Sequence, residues 1–340
     1  MIREAIHKLM DHQDLTSDEA ESVIYDIMDG NASPAQTATF LTALRLKGET
    51  VAEITGCARA MRNKAIVVKP CRTDLVDTAG TGGDRAGTFN ISTTAAFVIA
   101  GSGLGVAKHG NRAVSGQCGS ADVLEALGVN LDLTPDQVAQ CIDDVGIGFL
   151  YAPRLHPAMK NVAPIRKELG IRTIFNILGP LTNPARARAQ IVGVFEPSLT
   201  EPLARVLHDL GCRAAFVFHS ADGLDELTTT AINRVTHFTN GTFHTDELDA
   251  CDLGLRRSTR DELSGGNAAD NARITRSILS GDDRGPRRDV VLLNAAAGLV
   301  AGGTDADLRE GLRHAAETID SGQAQKVLDN FIGMSQRLQV

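Results

Sequence analysis

Strand-like and helix-like segments alternate along this chain from Lys69 onward. The predicted strands are short and apolar and lie near residues 74–78, 104–108, 147–151, 189–195 and 213–219. The predicted helices lie near residues 91–101, 120–127, 135–144 and 200–210. This alternation predicts an α/β fold whose mostly parallel central sheet carries helices on both faces. The Asn240-Gly241 pair predicts a later hairpin, and the chain from Asp289 onward is predicted to be helical.

The N-terminal part of the chain lacks this alternation and predicts a small helical domain. Capping boxes at Thr16–Glu19, Ser33–Gln36 and Thr50–Glu53 each precede apolar residues at helical spacing. Reactive side chains are not concentrated there, so packing and dimer contact are its expected roles. We therefore expect a helical domain over residues 1–72 and a larger α/β domain over residues 73–340.

Two glycine-rich loops follow the first two predicted strands, GTGGD at 80–84 and KHGNRAVS at 108–115. Glycines let the backbone approach a ligand closely, and the freed N–H groups and a helix start near Asn90 favour phosphate oxygens. Neither a Walker loop nor a G-x-G-x-x-G fingerprint is present. The first loop alone is compatible with plain packing, whereas the second adds cations, Asn111 and hydroxyls among its glycines. Ser120 is predicted to cap the helix that follows.

A series of motifs in these regions resembles the anthranilate phosphoribosyltransferase family. The matching segments are GTGGD at 80–84, TFNIST at 88–93, KHGNRAVS at 108–115, GSADVLEALG at 119–128, HPAMKNVAPIRKELG at 156–170, RTIFNILGPLTNP at 172–184 and DGLDE at 222–226. The resemblance implies a nucleoside phosphorylase/phosphoribosyltransferase-like fold. It implies transfer of the phosphoribosyl group of phosphoribosyl pyrophosphate to the amine of anthranilate, in tryptophan biosynthesis. It also implies a homodimer, and a segment near 165–185 that crosses back to the helical domain and places the active site between the domains.

The resemblance also implies which residues bind the two substrates. The expected donor-binding residues are Gly80, Gly83, Asp84, Thr88, Asn90, Ile91, Ser92, Thr93, Lys108, His109, Gly110, Asn111, Arg112, Ala113, Val114, Ser115, Gly116 and Ser120. Anthranilate is expected to contact Gly80, Asn111 and Arg166, with its ring against apolar surface such as Pro180. Positioning by Lys108, His109 and Asn111, together with electrostatics, is expected to carry the reaction. His109 is a candidate base, although an orienting or structural histidine is the preferred interpretation.

Two adjacent carboxylates, Asp225 and Glu226, follow the predicted strand at 213–219. An acidic pair in a loop can be a solvated surface feature, but oxygen ligands beside phosphate loops suit Mg²⁺. The resemblance implies two Mg²⁺ ions per subunit, one held by Asp225 and Glu226 and the other by Ser92 with Glu226.

The amino-acid composition argues against several other classes of protein. The 34 Lys and Arg against 42 Asp and Glu give a net charge of −8, which argues against a nucleic-acid surface. The absence of an apolar run of bilayer length and of a signal-type stretch predicts a cytoplasmic protein without membrane contact. The six cysteines are expected to be reduced, with Cys118 a bystander rather than a nucleophile.

Two alternatives remain for the sequence. One is a nucleoside phosphorylase on the same fold, against which the Asp225–Glu226 pair argues. The other is a non-enzymatic relative that binds nucleic acid, which should carry a basic surface and lack those carboxylates.

Overall fold

The computed structural model of the chain describes residues 1–83, 87–113 and 117–338. Its central element is a seven-stranded sheet with the strand order β3-β2-β1-β4-β5-β6-β7. The strands are β1 Leu75–Gly80, β2 Gly105–Gly110, β3 Ile147–Tyr151, β4 Ala189–Gly193, β5 Ala214–Ser220, β6 Asn233–Thr239 and β7 Thr242–Leu248. The first five strands pair in parallel and the last two are antiparallel. The prediction of a mostly parallel sheet is therefore confirmed.

Four helices precede the sheet, namely α1 Ile2–Met10, α2 Ser17–Met28, α3 Pro34–Lys47 and α4 Val51–Lys64. The three predicted capping boxes all form, because Thr16, Ser33 and Thr50 accept from the backbone three residues on and are bonded in return. The first helix, α1, was not predicted from the sequence. These helices form the small helical part of the fold.

The remaining helices connect the strands or follow the sheet. They are α5 Ile91–Gly101, α6 Ser120–Leu127, α7 Pro135–Val145, α8 Ala152–Leu155, α9 Ala163–Leu169, α10 Phe175–Leu178, α11 Thr200–Asp209, α12 Ala268–Leu279, α13 Pro286–Gly302, α14 Leu308–Asp320 and α15 Gln323–Arg337. Neighbouring residues of β4 alternate between two cores: Ile191 packs with α5 and α13, and Val192 packs with α11 and the N-terminal helices. Helices thus cover both faces of the sheet, as predicted. Among the described residues no helix combines the length and apolar character needed to cross a bilayer.

The segment around α9 and α10 returns to the N-terminal helices. Val162, Phe175 and Leu178 are buried in the same hydrophobic cluster as α1 to α4. Arg62 of α4 reinforces this contact, since its Nε donates to the carbonyl oxygen of Leu181 at 2.6 Å. The chain therefore places α9 and α10 against the helical part of the fold.

A hairpin between β6 and β7 and the start of α6 were both predicted from the sequence. Asn240 and Gly241 have φ values of 51° and 82° and join β6 to β7, which confirms the predicted hairpin. The cap of α6 differs from the prediction, because Gly119 and not Ser120 is its N-cap residue. The Asp122 carboxylate accepts from the Gly119 N–H at 2.8 Å, and the Ser120 hydroxyl instead donates to the carbonyl oxygen of Asn111 at 3.1 Å.

Candidate functional site

The turn that carries Asp225 lies directly over the carboxyl ends of β1 and β4. The Gly82 N–H donates to Asp225 Oδ2 at 2.7 Å, and a Cβ on Gly80 would lie 2.5 Å from the same oxygen. Gly193, the register partner of Gly80 on β4, meets the Asp225 backbone still more closely. Both strands therefore end in glycine because Asp225 occupies the space that a side chain would need. Gly193 was not among the residues predicted from the sequence, where its only local signal is its place at a strand end.

The neighbouring carboxylate is anchored to the helix that follows the first glycine-rich loop. Glu226 Oε1 accepts from the Ser92 N–H at 3.3 Å in the first turn of α5, where unpaired N–H groups and the helix dipole favour an anion. The structure thus brings together Ser92, Asp225 and Glu226, the three predicted metal-binding residues. No group of three or more His, Cys, Asp or Glu with metal-site geometry occurs within the described ranges. The set present, two carboxylates and one hydroxyl, fits Mg²⁺, which takes oxygen ligands and keeps water and phosphate in its other positions.

Lys108 lies beneath this region, and only 3% of its surface is exposed. Its Nζ donates to the carbonyl oxygen of Thr78 at 2.5 Å and lies 3.4 Å from the Ser92 hydroxyl. Burial lowers the pKa of Lys108 to about 8, while the charges of Asp77 and Glu226 oppose that shift. Lys108 therefore brings a cation close to Ser92 and Glu226 from inside the protein.

The second glycine-rich loop is held by the start of α6. The Asn111 N–H donates to the Ser120 hydroxyl at 3.2 Å. Arg112 is paired with carboxylates: its Nη1 and Nη2 lie 2.5 and 2.6 Å from the two oxygens of Glu125, and Nη1 lies 3.0 Å from Asp122. These partners raise the pKa of the guanidinium above its ordinary value. Arg112 thus stabilises the loop in this structure, which was not apparent from the sequence.

Other predicted donor residues differ in how they face the site. Ile91 and Thr93 are buried within α5, so their side chains are enclosed by the protein. The Ile91 N–H donates to the carbonyl oxygen of Phe89 at 2.8 Å. Thr88 forms an isolated bridge with Ser264. Gly110 packs tightly against Phe149, and the Ala113 N–H donates to Asp122 at 3.0 Å.

Two further contacts tie the loops to distant parts of the chain. Arg172 Nη2 donates to the carbonyl oxygen of Gly83 at 2.7 Å, and its guanidinium lies 3.9 Å from the centre of the Phe195 ring. Asn271 of α12 donates to the side chain of Asn90 at 2.9 Å. Neither Arg172 nor Asn271 was predicted as a site residue from the sequence, although Arg172 begins one of the family-like motifs. The predicted donor residues Asp84, Val114, Ser115 and Gly116 lie outside the described residues.

His109 is enclosed between the second loop and the returning segment. Its Nδ1 lies 3.1 Å from the carbonyl oxygen of Gly179, and its Nε2 lies 3.2 Å from Nε2 of His156. Burial lowers the pKa of His109 to about 3 and that of His156 to about 4. Both rings are therefore neutral at pH 7.

Arg166 lies on α9, in the returning segment. Its guanidinium is half-buried, 5.7 Å from the centre of the Phe175 ring, and burial lowers its pKa. In the part of the chain that the structure describes, no carboxylate forms an ion pair with it, in contrast to Arg112. A half-buried cation with an aromatic neighbour is suited to a small organic anion.

Comparisons with known proteins agree with this arrangement. A family model described as "Glycosyl transferase family, helical bundle domain" matches residues 3–65, and one described as "Glycosyl transferase family, a/b domain" matches residues 72–325. Anthranilate phosphoribosyltransferase of Symbiobacterium thermophilum is 57% identical over 98% of this chain and 97% of its own length. The Geobacter sulfurreducens enzyme of that name is 54% identical over 98% of this chain and 99% of its own length.

Solved structures give the same result. The crystal structure of anthranilate phosphoribosyltransferase from Thermus thermophilus has a TM-score of 0.93 and 44% identity, covering 98% of this chain and 99% of that one. The Saccharomyces cerevisiae enzyme in complex with PRPP and Mg has a TM-score of 0.88 and 29% identity, covering 99% and 98%. With its fold, its paired glycine-rich loops and these relatives, the chain belongs to the anthranilate phosphoribosyltransferase family.

Proposed function

We propose that this chain transfers the phosphoribosyl group of phosphoribosyl pyrophosphate to the amine of anthranilate. The products are N-(5-phosphoribosyl)anthranilate and pyrophosphate, a step of tryptophan biosynthesis. One geometric observation carries the proposal. The Asp225–Glu226 pair is bonded both to the first glycine-rich loop, through Gly82, and to the start of α5, through Ser92. Two carboxylates suited to bind Mg²⁺ thus lie beside a glycine-rich loop suited to bind phosphate.

The donor is proposed to bind along the two loops and the helix starts that follow them. Its binding residues are Gly80, Gly83, Asp84, Thr88, the segment 90–93, the segment 108–116 and Ser120. Within this set the buried Lys108 adds its charge from below Ser92. The Saccharomyces cerevisiae relative, whose structure is described as a complex with PRPP and Mg, supports the choice of donor.

Two Mg²⁺ ions per subunit are proposed at Ser92, Asp225 and Glu226. When bound, Mg²⁺ supplies neutralising charge for the departing pyrophosphate. The role of the chain is to hold the carboxylates: Gly82 orients Asp225, and Ser92 orients Glu226 through their N–H groups. Titration calorimetry with Mg²⁺ and the donor gives the number of ions per subunit.

The acceptor is proposed to bind at the other end of the site, with its carboxylate on Arg166 and its amine near Gly80 and Asn111. An arylamine is unprotonated at pH 7, so it needs little help from a base. Alignment of the two substrates is therefore the main contribution, and effective molarities from such alignment are worth about 7–11 kcal/mol.

The assembly is proposed to be a homodimer through the helical domain. Met1, Met10 and Leu46 of this domain expose large apolar side chains, and Leu46 is 78% exposed. Two-fold dimers are the commonest closed assemblies, and a contact through these side chains would remove them from water. Light scattering that gives a mass near 36.0 kDa, the mass of one chain, would contradict the dimer.

The domain boundary and the compartment are also proposed. We place the boundary near residue 72, between the two family-model matches at 3–65 and 72–325, with the segment near 165–185 joining the helical domain. A cytoplasmic location is supported by Cys71 and Cys251, which are exposed and free, since oxidising compartments favour disulfides.

The decisive experiment follows anthranilate fluorescence. Purified protein is mixed with phosphoribosyl pyrophosphate, Mg²⁺ and anthranilate, and the fluorescence is expected to fall as the amine is substituted. Mass spectrometry identifies the product, and omission of the donor or of Mg²⁺ gives the background. A parallel reaction with a pyrimidine nucleoside and inorganic phosphate tests the phosphorylase alternative, for which no release of base is expected. Unchanged anthranilate in the complete mixture would refute the proposed function.

A further inference from the structure

Asn294 lies in the middle of α13 and is fully buried. Both polar atoms of its side-chain amide bond to Leu227, in the turn formed by residues 225–228, which we call the carboxylate turn. Its Oδ1 accepts from the Leu227 N–H at 3.3 Å, and its Nδ2 donates to the Leu227 carbonyl oxygen at 2.8 Å. Nδ2 also donates to the carbonyl oxygen of Val290, one helical turn earlier, at 2.9 Å. The side chain therefore pairs with Leu227 as a neighbouring strand would, and its exposed surface is 0%.

Leu227 directly follows Glu226, so the paired bonds between Asn294 and Leu227, which we call the clamp, hold the chain next to the carboxylate. Glu226 is held from its other side by the Ser92 N–H of α5. The two helices that supply these contacts are packed without a gap, because Gly298 of α13 sits against the side chain of Ile99 of α5 and leaves no room for a Cβ. Glu226 and the residue after it are thus bonded to two helices that pack directly against each other.

A second buried asparagine holds the next residue of the same turn. Asn233 Oδ1 accepts from the Thr228 N–H at 2.9 Å, and Asn233 Nδ2 donates to the Thr228 carbonyl oxygen at 2.9 Å. The chain after Leu227 is therefore anchored separately. Removal of the Asn294 amide is therefore expected to loosen Leu227 and Glu226 more than Thr228, which keeps its own bonds to Asn233.

We propose that Asn294 is a positioning residue that sets the orientation of Glu226 toward Mg²⁺ and the donor pyrophosphate. It touches neither substrate, since its hydrogen-bonding groups are taken by Leu227 and Val290. This inference rests on the proposed function, in which Glu226 is a metal ligand. Removal of a residue that orients a metal ligand from behind typically lowers metal affinity or activity by about 10- to 100-fold.

The test compares full-length wild type with Asn294→Asp and Asn294→Ala. Asn294→Asp keeps the size of the side chain and an acceptor for the Leu227 N–H, but loses the donor for the two carbonyl oxygens. Each variant is expected to need about 10- to 100-fold more Mg²⁺ for half-maximal activity, with the KM for anthranilate unchanged. Binding of Mn²⁺ in the presence of phosphoribosyl pyrophosphate, measured by the loss of the free Mn²⁺ electron paramagnetic resonance signal, should weaken by a similar factor.

The matched control is Asn130→Ala. Asn130 also bonds backbone groups, accepting from the Asp132 N–H at 2.9 Å and donating to the Ser335 carbonyl oxygen at 3.3 Å, but it contacts no residue of the carboxylate turn. Its Mg²⁺ response should match wild type even if its thermal stability falls. Wild-type Mg²⁺ response and Mn²⁺ affinity in the Asn294 variants would overturn the proposal, as would equal changes in every kinetic constant or loss of the fold in both variants. An inactive wild type would instead refute the proposed function.

Discussion

Nε2 of His156 lies 3.2 Å from Nε2 of His109, so one ring must donate and the other accept. The direction is set at the opposite side of His109, where Nδ1 lies 3.1 Å from the carbonyl oxygen of Gly179. Since a carbonyl oxygen only accepts, Nδ1 of His109 carries the proton, and its Nε2 accepts from His156. Both nitrogens of His109 are engaged and both rings are neutral. This arrangement favours an orienting role for His109 over a role as a base.

The histidine pair predicts acid sensitivity of the folded state. The pKa values of about 3 for His109 and about 4 for His156 lie below the 6.5 of free histidine. Below pH 6.5 the two histidines therefore bind protons in the unfolded chain but not in the folded chain. Because of this difference, the free energy of unfolding decreases as the pH falls toward 4. Asp77, with its pKa raised to about 6 by burial, acts in the opposite direction, because the folded chain retains a proton that the unfolded chain releases. The two histidines together outweigh this single group.

Thermal unfolding near pH 7.5 and near pH 5 measures the effect. The melting temperature of wild type should be lower near pH 5 than near pH 7.5. The decrease should be smaller in His156→Gln, because this variant lacks one of the two side chains that bind a proton only in the unfolded chain. The control is His7→Gln, which changes an exposed histidine of α1. An acid loss in His156→Gln as large as in wild type would contradict the prediction.

Features encoded by short spacings were predictable from the sequence. The Thr16–Glu19 capping box and the Asn240-Gly241 hairpin each depend on residues a few positions apart, so their chemistry is visible in the sequence itself. The two glycine-rich loops and the Asp225–Glu226 pair were located for the same reason. The family resemblance then supplied the expectation that these segments meet.

Features that depend on distant packing were not predictable. The bond between Arg172 and Gly83 and the clamp of Asn294 on Leu227 join positions far apart in the chain. Nothing in local spacing marks the partner. The pairing of Arg112 with Glu125 joins positions close in the chain, yet it was not predicted either. The motif around Arg112 indicates a phosphate ligand and does not show that a carboxylate of the next helix already pairs with the guanidinium.

Gly80→Ala should disturb the carboxylate turn more than the fold. The new Cβ would lie 2.5 Å from Asp225 Oδ2, so Asp225 must move away from the Gly82 N–H. Overpacking of this kind costs about 1–3 kcal/mol, and activity should fall because the carboxylate is displaced. Gly333→Ala on α15 is the control and should be active and slightly more stable, by about 0.5–1 kcal/mol. Urea unfolding and steady-state rates measure both quantities; full activity of Gly80→Ala would show that Asp225 does not need its present position.

Glu226→Gln should remove most activity while the fold survives. The amide oxygen of glutamine still accepts from the Ser92 N–H, so the start of α5 keeps its contact, but the charge that binds Mg²⁺ is gone. Loss of such a ligand removes several kcal/mol of transition-state stabilisation. The rate is measured across a range of Mg²⁺ concentrations, with Glu247→Gln on the exposed strand β7 as the control. Near-wild-type turnover at limiting Mg²⁺ would exclude Glu226 as a ligand.

Arg166→Ala separates the two ends of the site. If Arg166 binds the acceptor carboxylate, the KM for anthranilate should rise while the KM for phosphoribosyl pyrophosphate stays near its wild-type value. A charge-assisted hydrogen bond is worth about 1.5–3 kcal/mol, which corresponds to a change of about tenfold to a hundredfold. Arg154→Ala is the matched control, because Arg154 is exposed on the neighbouring helix α8 and pairs with Asp132 at 2.8 Å. Equal changes in both KM values, or a change in the donor's alone, would assign the acceptor carboxylate to another cation.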